Sequence, residues 1–160
     1  MKKQNLFFLT ILFLIISVSA SAQSAGKAMY FELGGPGFAS VNYDMRFQKT
    51  QDGLGFRVGV GGFSIDGEGA LFIPVGLNYL IGKETKHYFE IGGGATFVNA
   101  TDFSIGSDNT NNNAVFGYTS FGYRYQPAAN GFVFRAAMVP IFGKGFFIPY
   151  YAGISFGYKF

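Results

Sequence analysis

The sequence predicts an all-β chain, an eight-stranded antiparallel up-and-down transmembrane β-barrel that follows a cleaved signal peptide. Three observations predict it. Apolar residues recur at every second position through most of the chain, which is the period of a strand with two unlike faces. The composition is 49% hydrophobic and only 13% charged, against a usual charged share of about 25%. Yet beyond residue 22 no apolar run could cross a bilayer as a helix. Finally, clusters of Gly, Asn, Asp and Pro separate the alternating segments at a spacing that suits a meander closed into a barrel.

Residues 1–22 read as a signal peptide. Lys2 and Lys3 form the charged start, Leu6 to Val18 the apolar run and Ala20-Ser21-Ala22 the small-residue cleavage site. The remaining domain, 23–160, divides into eight expected strands.

Strand one, 28–34, alternates Phe31 and Leu33 with Glu32, and Gly34-Gly35-Pro36-Gly37 ends it. Strand two, 38–47, sets Val41, Tyr43, Met45 and Phe47 against Ser40, Asn42, Asp44 and Arg46, before Thr50-Gln51-Asp52-Gly53. Strand three, 54–63, alternates Leu54, Phe56, Val58 and Val60 with Gly55, Arg57, Gly59 and Gly61, and the Asp66–Gly69 turn follows. Strand four, 69–81, opposes Ile73, Val75, Leu77, Tyr79 and Ile81 to Gly76 and Asn78, then turns at Gly82–Lys86. Strand five, 88–98, has Phe89, Ile91 and Phe97 on one face and Glu90, Gly92 and Gly94 on the other. An Asn-rich connection, 99–112, leads to strand six, 113–125, with Val115, Phe121, Tyr123 and Tyr125 opposed to Ser120, Gly122 and Arg124. After Pro127–Gly131, strand seven, 131–142, places Phe132, Phe134, Met138 and Phe142 opposite Arg135. Gly143-Lys144-Gly145 precedes strand eight, 146–160. Its even positions run Phe146, Ile148, Tyr150, Ala152, Ile154, Phe156, Tyr158 and Phe160, while Ser155, Gly157 and Lys159 fall on the odd side.

Alternation alone does not say which face is interior, and a secreted soluble lipocalin-like barrel carrying a lipophilic ligand would invert it. The polar face decides. Its charges are Glu32, Asp44, Arg46, Arg57, Glu90, Arg124, Arg135 and Lys159, about one per strand, separated by small residues. A soluble exterior needs roughly 25–35% charged residues, whereas small residues beside a few long ions suit a crowded lumen. Asp44 and Arg57 fall opposite each other across the 48–53 turn, so a cross-strand ion pair is expected there. The apolar face carries no charge, as acyl chains would require. On it Tyr43, Tyr79, Tyr123, Tyr125 and Tyr158 gather near one rim and are expected to form an interfacial girdle. A lysine at Phe134 should therefore impair assembly, and one at Ser155 should be better tolerated if the lumen has room.

At this point the chain resembles the small eight-stranded outer-membrane barrels of the OmpA/OmpX type, over the whole of 23–160. The resemblance rests on the pattern, on the stretch YFELGGPGFASVNYDMRF and on the last strand, where Ala152, Ile154, Phe156, Tyr158 and Phe160 alternate to a terminal aromatic. In that family such a strand is read by the barrel-assembly machinery, so the resemblance implies an assembly signal here. It also implies residence in the outer membrane of a double-membrane bacterium. Both termini are then periplasmic, and the connections 34–37, 64–68, 99–112 and 143–145 become outer loops.

Other function classes find little support. With Lys2 and Lys3 removed the chain is near neutral, so nucleic acid is no expected partner. The absence of cysteine removes thiolate metal sites and thiol nucleophiles. No cofactor is expected, and Asp102 and Asp108 fit no calcium-loop spacing. Some small outer-membrane barrels modify lipid A with a histidine-assisted serine; His87, the single histidine, is expected at a periplasmic turn without a neighbouring serine, so no enzyme is expected. The expected partners are outer-membrane lipid and, during biogenesis, the assembly machinery. The expected protein is a monomer with an envelope-structural, surface-interaction or narrow-conductance role.

Overall fold

The structure, a computed structural model, describes residues 26–65, 68–82, 86–101 and 113–160. The expected signal peptide, 1–22, and most of the Asn-rich connection, Asp102 and Asp108 included, lie outside the described residues.

Among the described residues there are ten strand segments: β1 Lys27–Gly34, β2 Ala39–Arg46, β3 Gly53–Ile65, β4 Glu68–Ile81, β5 His87–Thr101, β6 Asn113–Tyr125, β7 Gly131–Met138, β8 Ile141–Gly143, β9 Phe146–Ile148 and β10 Ala152–Lys159. Neighbours pair antiparallel, and β10 closes on β1 from Ala28↔Lys159 to Gly34↔Gly153. Since β8 continues β7 and β9 leads into β10, the wall has eight strands. Gly26 and Phe160 mark the proximal rim, and the 99–112 connection leaves from the distal one.

The strands are staggered around the wall. A row of register partners that starts at Tyr158, close to the proximal rim, runs through Met29, Tyr43, Val58, Val75, Ala95 and Gly117 and arrives at Phe142, beside the distal rim. Such a stagger is the shear that closing a tilted sheet demands.

The last two strands differ from the expectation of two unbroken runs. The seventh loses its ladder at Val139–Pro140, because Pro140 has no N–H to donate. Its register nevertheless continues, since the Thr119 amide donates to the Pro140 carbonyl at 3.0 Å and Tyr118 pairs with Ile141. The eighth is bulged at Pro149–Tyr150. The Val139 amide donates to the Tyr151 carbonyl, yet Ile141 pairs with Ile148, so two residues oppose one. A one-residue slip exchanges faces. Phe147 therefore stands outside opposite Phe142, while Phe146 turns inward over Gly143 and meets the Phe116 ring at 6.4 Å. The even-numbered apolar face expected for the whole of 146–160 holds only from Ala152 onward.

The 34–37 connection is also not an outer loop. Gly35–Gly37 forms one turn of 3-10 helix, all three residues buried, folded into the distal mouth of the barrel. Gly34 and Gly35 take positive φ angles of 74° and 66°, which glycine tolerates without a Cβ clash. The turn crosses the mouth, and the Pro36 carbonyl accepts a hydrogen bond from Thr96 on β5 at 3.0 Å. At Gly61 a Cβ would lie 2.4 Å from the Gly37 carbonyl oxygen, so glycine there lets the turn lie against β3.

The face assignment follows from burial. Phe31, Leu33, Val41, Leu77, Phe97, Phe121 and Phe132 are exposed on the outer wall, whereas Glu32, Asp44, Arg57, Glu90 and Arg124 are buried inside. A soluble ligand-carrying barrel would have these the other way round. The greasy face is outside.

Candidate functional site

The lumen is where the chain concentrates its chemistry. β1 contributes Glu32, β2 Asp44 and Arg46, β3 Arg57, β5 Glu90, β6 Arg124 and β7 Arg135, each on the inward parity of its strand and each at most 3% exposed. They form one connected chain of alternating sign: Arg46, Asp44, Arg124, Glu90, Arg135, Glu32, Arg57.

Its bonds are specific. Asp44 Oδ1 accepts from Arg46 Nη2 at 2.7 Å and from Arg124 Nη2 at 3.1 Å. Glu90 Oε2 accepts from Arg124 Nη1 at 3.2 Å and Arg135 Nε at 3.0 Å, and its Oε1 from Arg135 Nη2 at 2.5 Å. Glu32 accepts from Arg135 Nη1 and Ser155 Oγ, each at 3.2 Å, and also pairs with Arg57. Each carboxylate is thus shared by two guanidiniums. In a low-dielectric interior this sharing offsets the desolvation that makes buried ions costly. Four arginines against three carboxylates leave an excess of positive charge on the network.

The expected Asp44–Arg57 pair does not form. The register does place the two directly opposite. However, Arg57 reaches along the barrel, donating from Nε to Asn42 Oδ1 at 3.1 Å and pairing with Glu32, while Arg46 and Arg124 take up Asp44. In so narrow a tube a long side chain is as close to partners across the lumen as to the residue beside it.

Lys159, the eighth expected member, stands apart. Its Nζ donates to the carbonyls of Pro127 at 3.1 Å, Ala128, and Ala129 at 3.4 Å, so it holds the β6–β7 turn beneath the proximal mouth.

Two residues to which the sequence reading gave no role complete the network, Asn78, already placed on the polar face, and Tyr30. Asn78 links Arg46 and Asp44, with its amide donating to Asp44 and its oxygen accepting from Arg46. Tyr30 lies between two guanidiniums, with Arg135 Cζ 4.6 Å and Arg57 Cζ 5.7 Å from its ring centre. The signal for Asn78 was its inward parity within an apolar strand. For Tyr30 the parity was equally legible, but an aromatic is not expected among ions until cation–π contact is considered. Glycines make the space for these long groups. At Gly55 a Cβ would sit 2.3 Å from the Arg46 guanidinium carbon, and at Gly76 equally close to the Tyr118 hydroxyl.

Distal to the ions the interior becomes apolar. Ala70, Phe72, Val98 and Ala100 form a buried cluster, with Phe63, Ala114 and Phe116 packed against it. The Phe38 ring lies against this cluster, 5.4 Å from Phe63 and 6.1 Å from Phe72.

The other residues singled out by sequence lie on the wall. Tyr79, Tyr123 and Tyr158 are exposed outside and Tyr43 and Tyr125 half-exposed, all toward the proximal ends of their strands. Ala152, Ile154, Phe156, Tyr158 and Phe160 are exposed along the outside of β10 and its end. His87 is at the proximal rim, its Nδ1 hydrogen-bonded to the Tyr123 hydroxyl at 2.6 Å. Among the described residues no group of three or more His, Cys, Asp or Glu side chains is placed to hold a metal ion.

Among solved structures the chain is similar to the outer membrane protein Ail of Yersinia pestis in a phospholipid bilayer nanodisc. The TM-score is 0.54 at 13% identity, over 85% of this chain and 98% of that one. The outer membrane enzyme PagL matches with a TM-score of 0.44 at 15% identity, over 82% of this chain and 96% of that one. No family model matches the chain, and no curated protein matches it in sequence. The likeness is one of fold: a closed eight-stranded barrel of the small outer-membrane kind.

Proposed function

We propose that this chain is an integral protein of the bacterial outer membrane, non-enzymatic and monomeric, with a closed lumen, serving envelope structure or contact at its distal rim. The observation that carries the reading is the continuous filling of the lumen. Proximally Lys159 holds a turn beneath the mouth, seven ions fill the middle, and the Gly35–Gly37 turn and an apolar cluster close the distal end. An eight-stranded barrel has an interior only wide enough for side chains, and these side chains occupy it. Sharing every carboxylate between two arginines leaves none of the three to serve as an accessible base. Under this reading the tyrosine rim faces the periplasm, and the alternating residues from Ala152 to Phe160 are the segment that the assembly machinery reads.

The test has two arms. In planar bilayers the purified protein should show no discrete conductance steps, and steps that respond to Arg135→Ala would replace the closed-lumen reading with a conducting one. Cells expressing the protein should keep the lipid A mass of control cells. A changed mass would restore the enzyme reading.

A further inference from the structure

The proximal end of the lumen carries more positive charge than its carboxylates neutralise. Toward the distal side Arg57 and Arg135 meet Glu32 and Glu90. Toward the proximal side Arg46 and Arg124 share one oxygen of Asp44, and Arg124 has in addition a share of Glu90. Lys159, buried at the end of β10, is held by backbone carbonyls rather than by a carboxylate. Among the described residues, five buried cations thus stand against three buried carboxylates, and the surplus lies at Arg46, Arg124 and Lys159. Asp52, in the turn between β2 and β3, is half-exposed and so faces solvent in part.

The same end leaves buried donors unused. Arg46 gives Nη1 to the Gly53 carbonyl and Nη2 to Asp44 and Asn78, while its Nε has no partner. Arg124 gives Nη1 to Glu90 and Nη2 to Asp44, and its Nε is unpaired as well. Gln126, two residues beyond Arg124 and equally buried, donates from Nε2 to Gln51 Oε1 at 3.4 Å, and its own Oε1 is unpaired. An amide occupies the same space after a half-turn. Turning both amides keeps the Gln51–Gln126 hydrogen bond, with Gln126 now accepting, and makes Gln126 Nε2 a third buried donor without an acceptor. Such groups are rare in folded proteins, and each calls for an explanation. Gly26 leaves room beside them. A Cβ there would lie 3.5 Å from Arg46 Cγ, 3.4 Å from Lys159 Cε and 3.0 Å from Gln51 Oε1, so these three side chains bound a methyl-sized hollow.

We propose that the proximal lumen binds one small inorganic anion, of the size and charge of chloride. The ion occupies the hollow beside Gly26, among Lys159, Arg46 and Gln51, with Gln126 and Arg124 next to it. Two requirements select that ligand. The surplus of buried cations needs a counter-charge, because a buried ion without one is costly, and the unused N–H groups need an acceptor. Water would supply the acceptor alone. A phosphate or a carboxylate-bearing molecule would supply both but exceeds a methyl-sized hollow. The ion is taken up as the barrel folds, so the site goes beyond the closed-lumen reading without requiring an open path, and it does not depend on what surrounds the outer wall.

The test replaces sodium gluconate by sodium chloride at constant ionic strength and follows the urea unfolding of the protein in nonionic micelles. Gluconate is too large for the hollow, and constant ionic strength holds screening fixed. The folding equilibrium constant should rise about tenfold for each tenfold increase in chloride above its dissociation constant, and bromide should act as chloride does. An unfolding midpoint that stays the same across the replacement overturns the site, since water alone or screening alone would then account for this end of the lumen. Gln126→Glu places a fixed carboxylate beside the same cations. It should raise the midpoint in gluconate and abolish the chloride dependence. A chloride dependence that survives undiminished in this variant also overturns the site, because the ion would then bind elsewhere on the protein. Should Gln126→Glu not fold, as judged by heat-dependent gel migration, Lys159→Met takes its place, and the same loss of chloride dependence is expected.

Discussion

Toward the proximal rim the lumen is filled by arginines and carboxylates that reach across it from six strands; toward the distal rim it is filled by a backbone turn and phenylalanine rings. The first region is held by directional bonds between residues far apart in sequence, such as Asp44 with Arg124 and Glu32 with Arg135. Removing a partner there strands a buried charge. The second is held mainly by non-directional packing around Pro36, Phe38 and Phe72. Closure is therefore by paired ions at one end and by packing at the other. The wall mirrors this: β1 and β2 reach only Gly34 and Ala39 at the distal end, whereas β3 runs on to Ile65.

The largest expected effect comes from breaking the ion-paired half. Arg135→Ala removes the group that joins Glu90 to Glu32 and stacks on Tyr30, and it should cost about 3–5 kcal/mol, read as a fall in the urea midpoint of the protein in micelles. The equivalent insult to the outside, Phe134→Lys, places a charge on the lipid side beside Phe156 and Tyr123. It should cost roughly 2–4 kcal/mol if position 134 lies near mid-bilayer, measured by the same midpoint in vesicles. In the packed half, Gly35→Ala forces a Cβ onto a positive φ and to within 2.6 Å of the Glu32 carboxyl carbon. About 1–2 kcal/mol is expected, with faster proteolysis at the distal turn as a second readout. Smallest is Ser155→Ala, which deletes two hydrogen bonds, to Arg135 and Glu32, for about 1 kcal/mol. For Ser155→Lys, expected from sequence to be better tolerated if the lumen has room, the structure leads to the opposite expectation. The site is closed on both sides by Arg135 and Glu32 at 3.2 Å, so a second cation there should destabilise far more than the alanine.

Much of this contrast was legible in the sequence. Period two identified most of the strands and the inward face of the eight charges placed on them, because a strand of a barrel has only two sides on which to place a side chain. Partner choice was not legible. Arg57 stands opposite Asp44 but pairs with Glu32, and nothing in local spacing encodes which ion across a narrow tube is nearest. The plug was hidden for another reason. Gly34-Gly35-Pro36-Gly37 has the composition of any exposed turn, and its burial depends on Thr96 and Gly61, which become its neighbours only on closure. Pro149 did carry a sequence signal for the bulge, since a proline inside a wall strand cannot donate to the ladder. The apolar distal interior broke the small-or-charged rule for the lumen, and Phe72, Val98 and Phe116 could have been recognised by parity alone.

The central claim is that hydrocarbon, not water, surrounds the outer wall. Refolding the purified protein from urea, once into phospholipid vesicles and once into surfactant-free buffer, tests it most directly. A compact, heat-modifiable species with a strand-type circular dichroism spectrum should form with vesicles and fail to form without them. A monodisperse, folded monomer in plain buffer would contradict it.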